Sequence, residues 1–493
     1  MNRFSQKLIG TWVSMGPRFM PFADIATADL PFGRLLRLSL FQISVGMALV
    51  LLVGTLNRVM IVELGVPASL VGFMLALPLV FAPFRALIGF RSDTHRCELG
   101  WRRVPFIWKG TLLQFGGFAI MPFALLVLAG MGESDGAPAA VGYSAAGLAF
   151  LLVGAGLHTV QTAGLALATD LTAPESHPRV VGMMYVMLLF GMIGSALIFG
   201  VALENFTPGR LVQVIQGAAV VTIVLNAVAM WKQETRNPPR GRPAPAPDPS
   251  FRESWTMFCK GKDAVRRLVI VGIGTMAFAM SDILIEPFGG EVLGLSVATT
   301  TKLTALLALG GVLGFWFASQ VRSNGIGPYR MALTGAVIGV PALGLVMMSA
   351  PDNHTSLFIL GNFLIGFGGA MFGHGTLTAT MNRAPREQAG LALGAWGSVQ
   401  ATAAGIAMAL SGAIRDLVNA GTNSATSVWE FEGAAVGYIT VYALEILLLL
   451  IAIAALVPLT RLFLSTDQPG PEAAHGALID AVTAAPDGRT RSS

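Results

Sequence analysis

The stretch FRALIGFRSDTHRCELGWRRVPF, residues 84–106, places a dense group of charges between two long apolar runs. These charges extend from Arg85 to Arg103, although only 12% of the 493 residues are charged and 54% are hydrophobic. A soluble protein carries about 25% charged residues. Apolar runs of roughly 20 residues, enough to cross a bilayer as a helix, recur along the whole chain. We therefore predict a multi-pass membrane protein in which 89–105 is a loop.

Twelve membrane spans are predicted, and each is taken as a helix because backbone groups in lipid must hydrogen-bond within their own segment. The predicted spans are 38–57, 66–88, 106–130, 142–167, 180–203, 210–231, 267–288, 296–320, 329–350, 356–380, 388–413 and 434–463.

The lysines and arginines indicate the orientation of the chain. When alternate loops are assigned to opposite sides, nearly all of the 32 basic residues fall on one side. The exceptions are Arg58, Arg210 and Arg415, assigned to the opposite side, and Arg85 and Lys302, assigned to helix ends. Because cytoplasmic loops are enriched in Lys and Arg, both termini and the loop 89–105 are predicted to be cytoplasmic. The N-terminal segment lacks the features of a removable signal peptide.

The chain divides into two halves around a polar stretch rich in proline and basic residues, Lys232–Ser254, which we interpret as a flexible linker. ATDLTAP (Ala168–Pro174) after span four and ATMNRAP (Ala379–Pro385) after span ten share four residues at the same spacing. ELGV (Glu63–Val66) and VLGL (Val292–Leu295) occupy equivalent places after spans one and seven. Such repeats indicate duplication. The predicted segments are 1–37 (cytoplasmic or interfacial), 38–231 (six helices), 232–266 (linker), 267–464 (six helices) and 465–493 (disordered tail).

Twelve spans arranged as six plus six, with a long cytoplasmic middle loop, are typical of the major facilitator fold. Proteins of that fold carry a Gly-x-x-x-Asp-Arg-x-Gly-Arg-Arg type of motif between spans two and three. Here the matching residues are Gly89, Asp93, Arg96, Gly100, Arg102 and Arg103, with extra residues between Asp93 and Gly100. The motif can act as a gate clamp, since Asp93 can cap a helix or pair with an arginine of the opposite half. The alternative is a basic loop that only sets topology.

A more specific resemblance covers nearly all of the predicted transmembrane region. FRALIGFRSDTHRCELGWRRVPFIWKGT resembles the hallmark of the PucC/LhaA family, the bacteriochlorophyll-delivery branch of the major facilitator superfamily. The resemblance continues through 35–67, 168–192, 282–306 and 390–416, but not through the linker or the tail after Leu464.

The resemblance implies an assembly factor for the light-harvesting antennas LH1 or LH2, located in the intracytoplasmic photosynthetic membrane of a bacterium. It implies bacteriochlorophyll as cargo or bound pigment. It also implies antenna polypeptides, the reaction centre–LH1 complex and bacteriochlorophyll synthase as candidate partners, and no nucleic acid. Two alternatives stay open: a pigment-free membrane chaperone of antenna helices, and a conventional solute transporter.

Two histidines lie well inside predicted spans, His158 in span four and His374 in span ten. Imidazole is a good axial ligand for the magnesium of a chlorin, and polar groups within a membrane are often functional. With Gln161 they are the candidate pigment-binding residues. A histidine that only packs against a neighbouring helix is the alternative for each. The surrounding glycines, Gly154–Gly164 and Gly366–Gly375, permit close helix packing and equally leave room for a flat ring.

Asp282 and Glu286 lie one turn apart on span seven, near its outer end. They can take part in proton coupling or anchor the turn EPFGGEVLG, and we favour the anchoring role. Helices one, four, seven and ten, which line the cavity in this fold, carry few charges, so a large apolar ligand fits better than a sugar or an ion. The sequence shows no nucleophile–base pair, metal cluster or phosphate loop, so an enzyme is not predicted.

Cys97 in the loop 89–105 tests the predicted orientation. A membrane-impermeant thiol reagent applied to the periplasmic face is expected not to label Cys97, because the positive-inside rule places this loop in the cytoplasm. Permeabilised membranes serve as the control and should allow labelling. Rapid labelling of Cys97 in sealed, correctly oriented membranes would reverse the topology.

Overall fold

A computed structural model gives the fold of the chain. The structure describes residues 32–80, 88, 92, 101–130, 138–172, 176–234, 264–323, 326–383, 389–422 and 435–466. Among the motif residues, Gly89, Asp93, Arg96 and Gly100 lie outside this part, as does Cys97. The linker prediction for Lys232–Ser254 also falls mostly outside it.

The described part of the chain is built from helices, eleven of which are long and apolar enough to cross a membrane. The shorter apolar helix Ala68–Val80 makes the twelfth. In chain order they are α1 (Phe32–Glu63), α2 (Ala68–Val80), α3 (Val104–Leu128), α4 (Ala139–Asp170), α5 (His177–Ala202), α6 (Pro208–Met230), α7 (Ala264–Glu291), α8 (Val297–Ser323), α9 (Pro328–Met348), α10 (Thr355–Arg383), α11 (Ala389–Thr422) and α12 (Ala435–Thr466).

The contacts between helices repeat from one half to the other. In the first half α3 packs on α4, α1 packs on α5 and α6, and α3 packs on α6. The same pairs recur six helices later, with α9 on α10, α7 on α11 and α12, and α9 on α12. This repeat confirms the duplicated six-plus-six architecture and the all-helical fold that the sequence predicts.

The turns that follow α1 and α7 also repeat. Gly65 has a φ of 62° and Gly294 a φ of 64°, a left-handed conformation in which any side chain would be strained. These glycines are the third residues of ELGV and VLGL, so the weak sequence echo marks a structurally equivalent turn.

Both α1 and α7 are irregular where they face each other. In α1, Val50–Leu56 and Val59–Glu63 are π-helical, and α7 is interrupted by a single 3₁₀ turn, Ser281–Ile283. The carbonyl of Ile283, freed by this interruption, accepts a hydrogen bond of 3.1 Å from Asn57 Nδ2. The backbone polar group exposed by the break is thereby satisfied from the other half of the molecule.

The two halves meet along two seams, α2 with α11 and α5 with α8. At the α2–α11 seam a Cβ atom on Gly72 would lie 2.5 Å from the Met408 carbonyl oxygen, and one on Gly412 would overlap the Ala68 carbonyl. At the α5–α8 seam Gly200 lies against the side chain of Lys302. These contacts lie at one end of the bundle, which we call the closed end, and at the α2–α11 seam they bring backbone against backbone.

Several predicted boundaries need correction. The first helix begins at Phe32 and not at residue 38, because Leu35 and Leu38 are already buried against the bundle. Arg58 and Arg415, predicted in loops, lie inside α1 and α11, since each is held by buried acceptors described below. The other spans agree with the prediction to within about eight residues at each described end.

Gly412 offers a test of the closed end. Gly412→Ala is expected to lower the thermal unfolding temperature in detergent, because overpacking a close backbone contact costs about 1–3 kcal/mol. Gly344→Ala on α9 is the matched control, since nothing lies within 4 Å of its added Cβ. That control should be neutral or slightly stabilising, because alanine favours helix more than glycine does. Equal melting temperatures for both variants would show that the seam is not tightly packed.

Candidate functional site

A cavity of about 800 Å³ lies between the two halves. Its walls come from α4 and α5 of the first half, from α7, α8, α10 and α11 of the second, and from Leu79 of α2. The lining of α4 extends from His158 to Thr169, close to the end of that helix at Asp170. The cavity therefore occupies the part of the bundle away from the closed end. Of the four helices predicted to line it, α4, α7 and α10 do so, whereas the described lining includes no residue of α1.

The lining is mainly apolar and aromatic. The aromatic side chains are Tyr185, Phe278, Phe315, Phe372 and Trp396. The polar groups are mostly hydroxyls and one amide, with Asp282 as the carboxyl group of the described lining. Small-molecule sites are typically apolar clefts of about 300–1,000 Å³ with a few fixed polar groups. The cavity has the size and character of such a site for an apolar ligand.

The glycines of the lining fall into two groups. A Cβ atom on Gly373 or Gly397 would meet nothing within 4 Å, so these two positions open directly into the cavity. Gly366 instead packs against the backbone of Leu307, where no side chain fits. Helices α10 and α11 thus present flat, unobstructed backbone to whatever occupies the cavity.

The glycines of α4 serve packing. Gly154 lies against Pro78 of α2, Gly156 against the backbone of Gly110 in α3, and Gly164 against the ring of Phe41 in α1. The two explanations left open for the glycine-rich stretches therefore divide between the halves. Room for a ligand is found on the α10 side, and close helix approach accounts for the α4 side.

The structure distinguishes the candidate pigment-binding residues. His158 lines the cavity and is 8% exposed. The His374 ring packs edge to face against the lining residue Phe315, with centroids 5.4 Å apart, and is not itself part of the lining. Gln161 is buried one turn from His158, at 7% exposure, and also lies outside the lining. Of the three, His158 is the residue placed to touch a ligand.

Arg103 of the motif forms a network of hydrogen bonds. Its guanidinium donates to Asp170 Oδ2 at 2.9 Å and to Ser92 Oγ at 2.6 Å. The backbone N–H groups of Arg102, Arg103 and Val104 donate to the Glu234 carboxylate. That carboxylate caps the start of α3, where a negative charge is stabilising.

These contacts of Arg103 all lie within the first half. Asp170 ends α4 and Glu234 follows α6, so the network ties the ends of α3, α4 and α6 together. The clamp prediction for Asp93 concerns a residue outside the described part and stays a prediction. Neither Asp170 nor Glu234 stood out in the sequence, although an acidic residue at a helix end beside a basic loop is a usable signal.

Polar contacts that were not predicted from the sequence hold the closed end together. Arg58, only 3% exposed, donates to Glu63 Oε1 at 2.6 Å and to the Leu295 carbonyl of the other half at 2.8 Å. Across the α2–α11 seam, the Ser69 N–H donates to Asp416 Oδ2 at 2.7 Å. These hydrogen bonds hold the two halves together at the end beyond the cavity.

A second ion-pair group supports this end from within the second half. Arg415 pairs with Glu291 of α7 and with Asp416, and Tyr438 of α12 donates its hydroxyl to Glu291 at 2.9 Å. Arg415 also lies over the Tyr438 ring, 4.9 Å from its centroid. Charged residues of α7, α11 and α12 thus fix one another inside the protein, which accounts for their location within spans.

Comparison with known proteins agrees with this geometry. The chain is 60% identical to Protein PucC of Rhodovulum sulfidophilum over 85% of its own length and 92% of that protein. It is 56% identical to Protein PucC of Rhodobacter capsulatus, covering 90% and 96% of the two chains.

The fold is shared with solved transporter structures. A bacterial homolog of the human lysosomal transporter Spinster, in an inward-facing and unoccupied conformation, matches with a TM-score of 0.63 at 15% identity. The match covers 88% of this chain and 97% of that one. At this identity the likeness establishes the fold, which is that of the major facilitator transporters. The family model described as PUCC protein matches residues 55–463. The chain therefore belongs to the PUCC protein family.

Proposed function

We propose that the protein is an assembly factor for bacterial light-harvesting antennas. In this proposal it binds bacteriochlorophyll in the central cavity and passes it to antenna polypeptides in the photosynthetic membrane. The single observation that carries the proposal is the large, aromatic, largely apolar cavity with His158 on one wall and open glycine backbone on the other. The two relatives named PucC support the photosynthetic setting.

The chemistry of the cavity fits a magnesium tetrapyrrole. The pigment would supply a flat conjugated ring and a metal that accepts one axial nitrogen ligand. His158 would offer that nitrogen, the rings of Phe278, Phe315 and Phe372 would contact the macrocycle face or edge, and Gly373 and Gly397 would let the macrocycle approach the backbone. A delivery protein needs moderate affinity, since a tightly held pigment cannot be released.

The two alternatives differ in what they require of the cavity. A transporter of sugars or ions needs several fixed polar partners, and this lining offers few. A pigment-free chaperone would use only the lipid-facing surface. With or without pigment, a protein that assists antenna assembly would bind the antenna helix laterally on its outer helices, through close packing and a few hydrogen bonds. A membrane helix does not enter a closed cavity.

Absorbance of the purified protein, together with co-purification and uptake measurements, distinguishes the three functions. Bacteriochlorophyll in amounts comparable to the protein supports pigment binding. Pigment-free protein that still co-purifies with antenna subunits supports the chaperone, and saturable uptake of a polar solute into liposomes supports the transporter. A deletion strain then identifies the client, since it loses either LH1 or LH2.

Filling the cavity tests the binding site directly. Gly373→Leu is expected to lower the pigment-to-protein ratio several-fold, because the new side chain occupies part of the cavity from a position where an added Cβ atom meets nothing within 4 Å. Gly344→Leu on α9, also with nothing within 4 Å, adds the same side chain outside the lining and should leave the ratio unchanged. Equal pigment in both variants would place the pigment elsewhere.

Substituting the histidines tests axial ligation. His158→Phe is expected to lower pigment content while the amount of protein in the membrane stays nearly unchanged, and His158→Leu controls for ring size. His374→Phe should have a smaller effect, because His374 stands behind Phe315. Full pigment in both single variants and in the double variant would exclude these histidines as ligands. A backbone carbonyl, a glutamine or water would then hold the magnesium.

A further inference from the structure

Three carboxyl groups lie together between the cavity and the closed end. Asp282 and Glu286 belong to the broken part of α7, and Glu445 belongs to α12. Asp282 lines the cavity, whereas Glu286 is 4% exposed and Glu445 is fully buried. Asp282 is an electrostatic neighbour of both glutamates. The group therefore begins at the cavity wall and extends into the packed interior.

The hydrogen-bonding capacity of this group is largely unused. Glu286 Oε1 accepts a hydrogen bond from Thr304 at 2.9 Å, but within the described residues Oε2 has no partner. The Glu445 carboxylate lies beside the side chain and backbone of Ser281, but within the described residues neither of its oxygens has a hydrogen bond of ordinary length and angle. Tyr442, fully buried beside Glu445 and Glu286, has no described partner for its hydroxyl. A buried polar group without a partner is costly unless something binds it.

The nearby cations are committed elsewhere. Arg58 of α1 is engaged by Glu63 and the Leu295 carbonyl. Arg415 of α11 is engaged by Glu291, Asp416 and Tyr438. Lys302 of α8 packs against Gly200 of α5, and it lies two residues from Thr304 on the opposite face of its helix. Across the described part of the chain, none of these cations forms an ion pair with the three carboxyl groups.

Three ionised carboxylates without a counter-charge are not sustainable inside a membrane. A metal ion does not resolve the imbalance, since the described residues contain no cluster of three or more acidic, histidine or cysteine side chains arranged to hold one. Protons do resolve it, because each converts an unpaired carboxylate into a neutral acid that can also donate a hydrogen bond. We propose that Asp282, Glu286 and Glu445 form a proton-binding site that exchanges protons with the cavity through Asp282.

The site is also placed to respond to movement of the halves. Asn57, on the first half, lies beside Glu286 and donates to the Ile283 carbonyl at 3.1 Å. Thr304 packs against Gly54 of the same helix α1. Separation of the halves at the closed end would take Asn57 away from Glu286 and Gly54 away from Thr304, and would admit water to the carboxyl group. Protonation of the three carboxyl groups is therefore linked to whether that end is closed. The link does not depend on which ligand the cavity holds.

Infrared difference spectroscopy of the purified, full-length protein in nanodiscs tests the proposal. The probe is the proton itself, supplied by stepping the buffer from mildly acidic to mildly alkaline. The wild type is expected to show a carboxylic acid C=O band that disappears reversibly as the site loses protons. Glu286→Gln and Glu445→Gln should each remove part of that band, because the amide keeps the shape of the neutral acid. Glu204→Gln, at an exposed position after α5, is the matched control and should leave it unchanged.

Identical difference spectra for the wild type, Glu286→Gln and Glu445→Gln would overturn the proposal. Asp282→Asn provides a further variant if either glutamine variant does not fold, and it should slow the exchange by closing the path from the cavity. An unchanged exchange rate in a folded Asp282→Asn protein would also contradict the proposed path. The measurement needs no pigment, so its outcome is separate from the test of bacteriochlorophyll binding.

Discussion

The close approach of the two halves at the closed end is the constraint on which the rest of the structure depends. Glycine on α2 meets the backbone of α11, and glycine on α11 meets the backbone of α2, at Gly72 and Gly412. Helices in lipid gain little from apolar burial alone, so such close packing contributes much of the association. Because the halves touch there and diverge towards the other end, a cavity remains between them.

The interactions at the closed end also determine where charge is tolerated. Arg58 and Arg415 lie within the membrane because Glu63, Glu291 and Asp416 pair with them, and because Arg58 also donates to the Leu295 carbonyl. The 3₁₀ turn of α7 also leaves the Ile283 carbonyl free to accept a hydrogen bond from Asn57 of α1. Each arginine at the closed end therefore has a carboxylate partner, whereas none of the ion pairs among the described residues involves Asp282, Glu286 or Glu445.

The sequence was sufficient to predict the helical architecture, because hydropathy reports on the bilayer and two short repeats report on the duplication. The orientation inferred from Lys and Arg stays a prediction. Residue types also singled out His158, which does line the cavity. They did not separate it from His374, since the two differ in rotation about their helices and not in type or depth. The Arg103–Asp170 pair and the Asn57–Ile283 contact were not predictable, because they join positions 67 and 226 residues apart. The prediction that Arg58 and Arg415 lie in loops was wrong. The distribution of basic residues along a sequence does not reveal that a particular arginine has a specific buried acceptor.

The two walls of the cavity differ in their capacity to change during evolution. On α4, Gly154, Gly156 and Gly164 pack closely against neighbouring helices, so a side chain at any of the three disturbs that packing. On α10 and α11, Gly373 and Gly397 face open space and bear no packing role. A side chain at either position changes the shape of the cavity, and its Cβ atom meets no neighbouring atom within 4 Å. The second half can therefore vary the shape of the cavity, while these α4 glycines of the first half keep the helices in place.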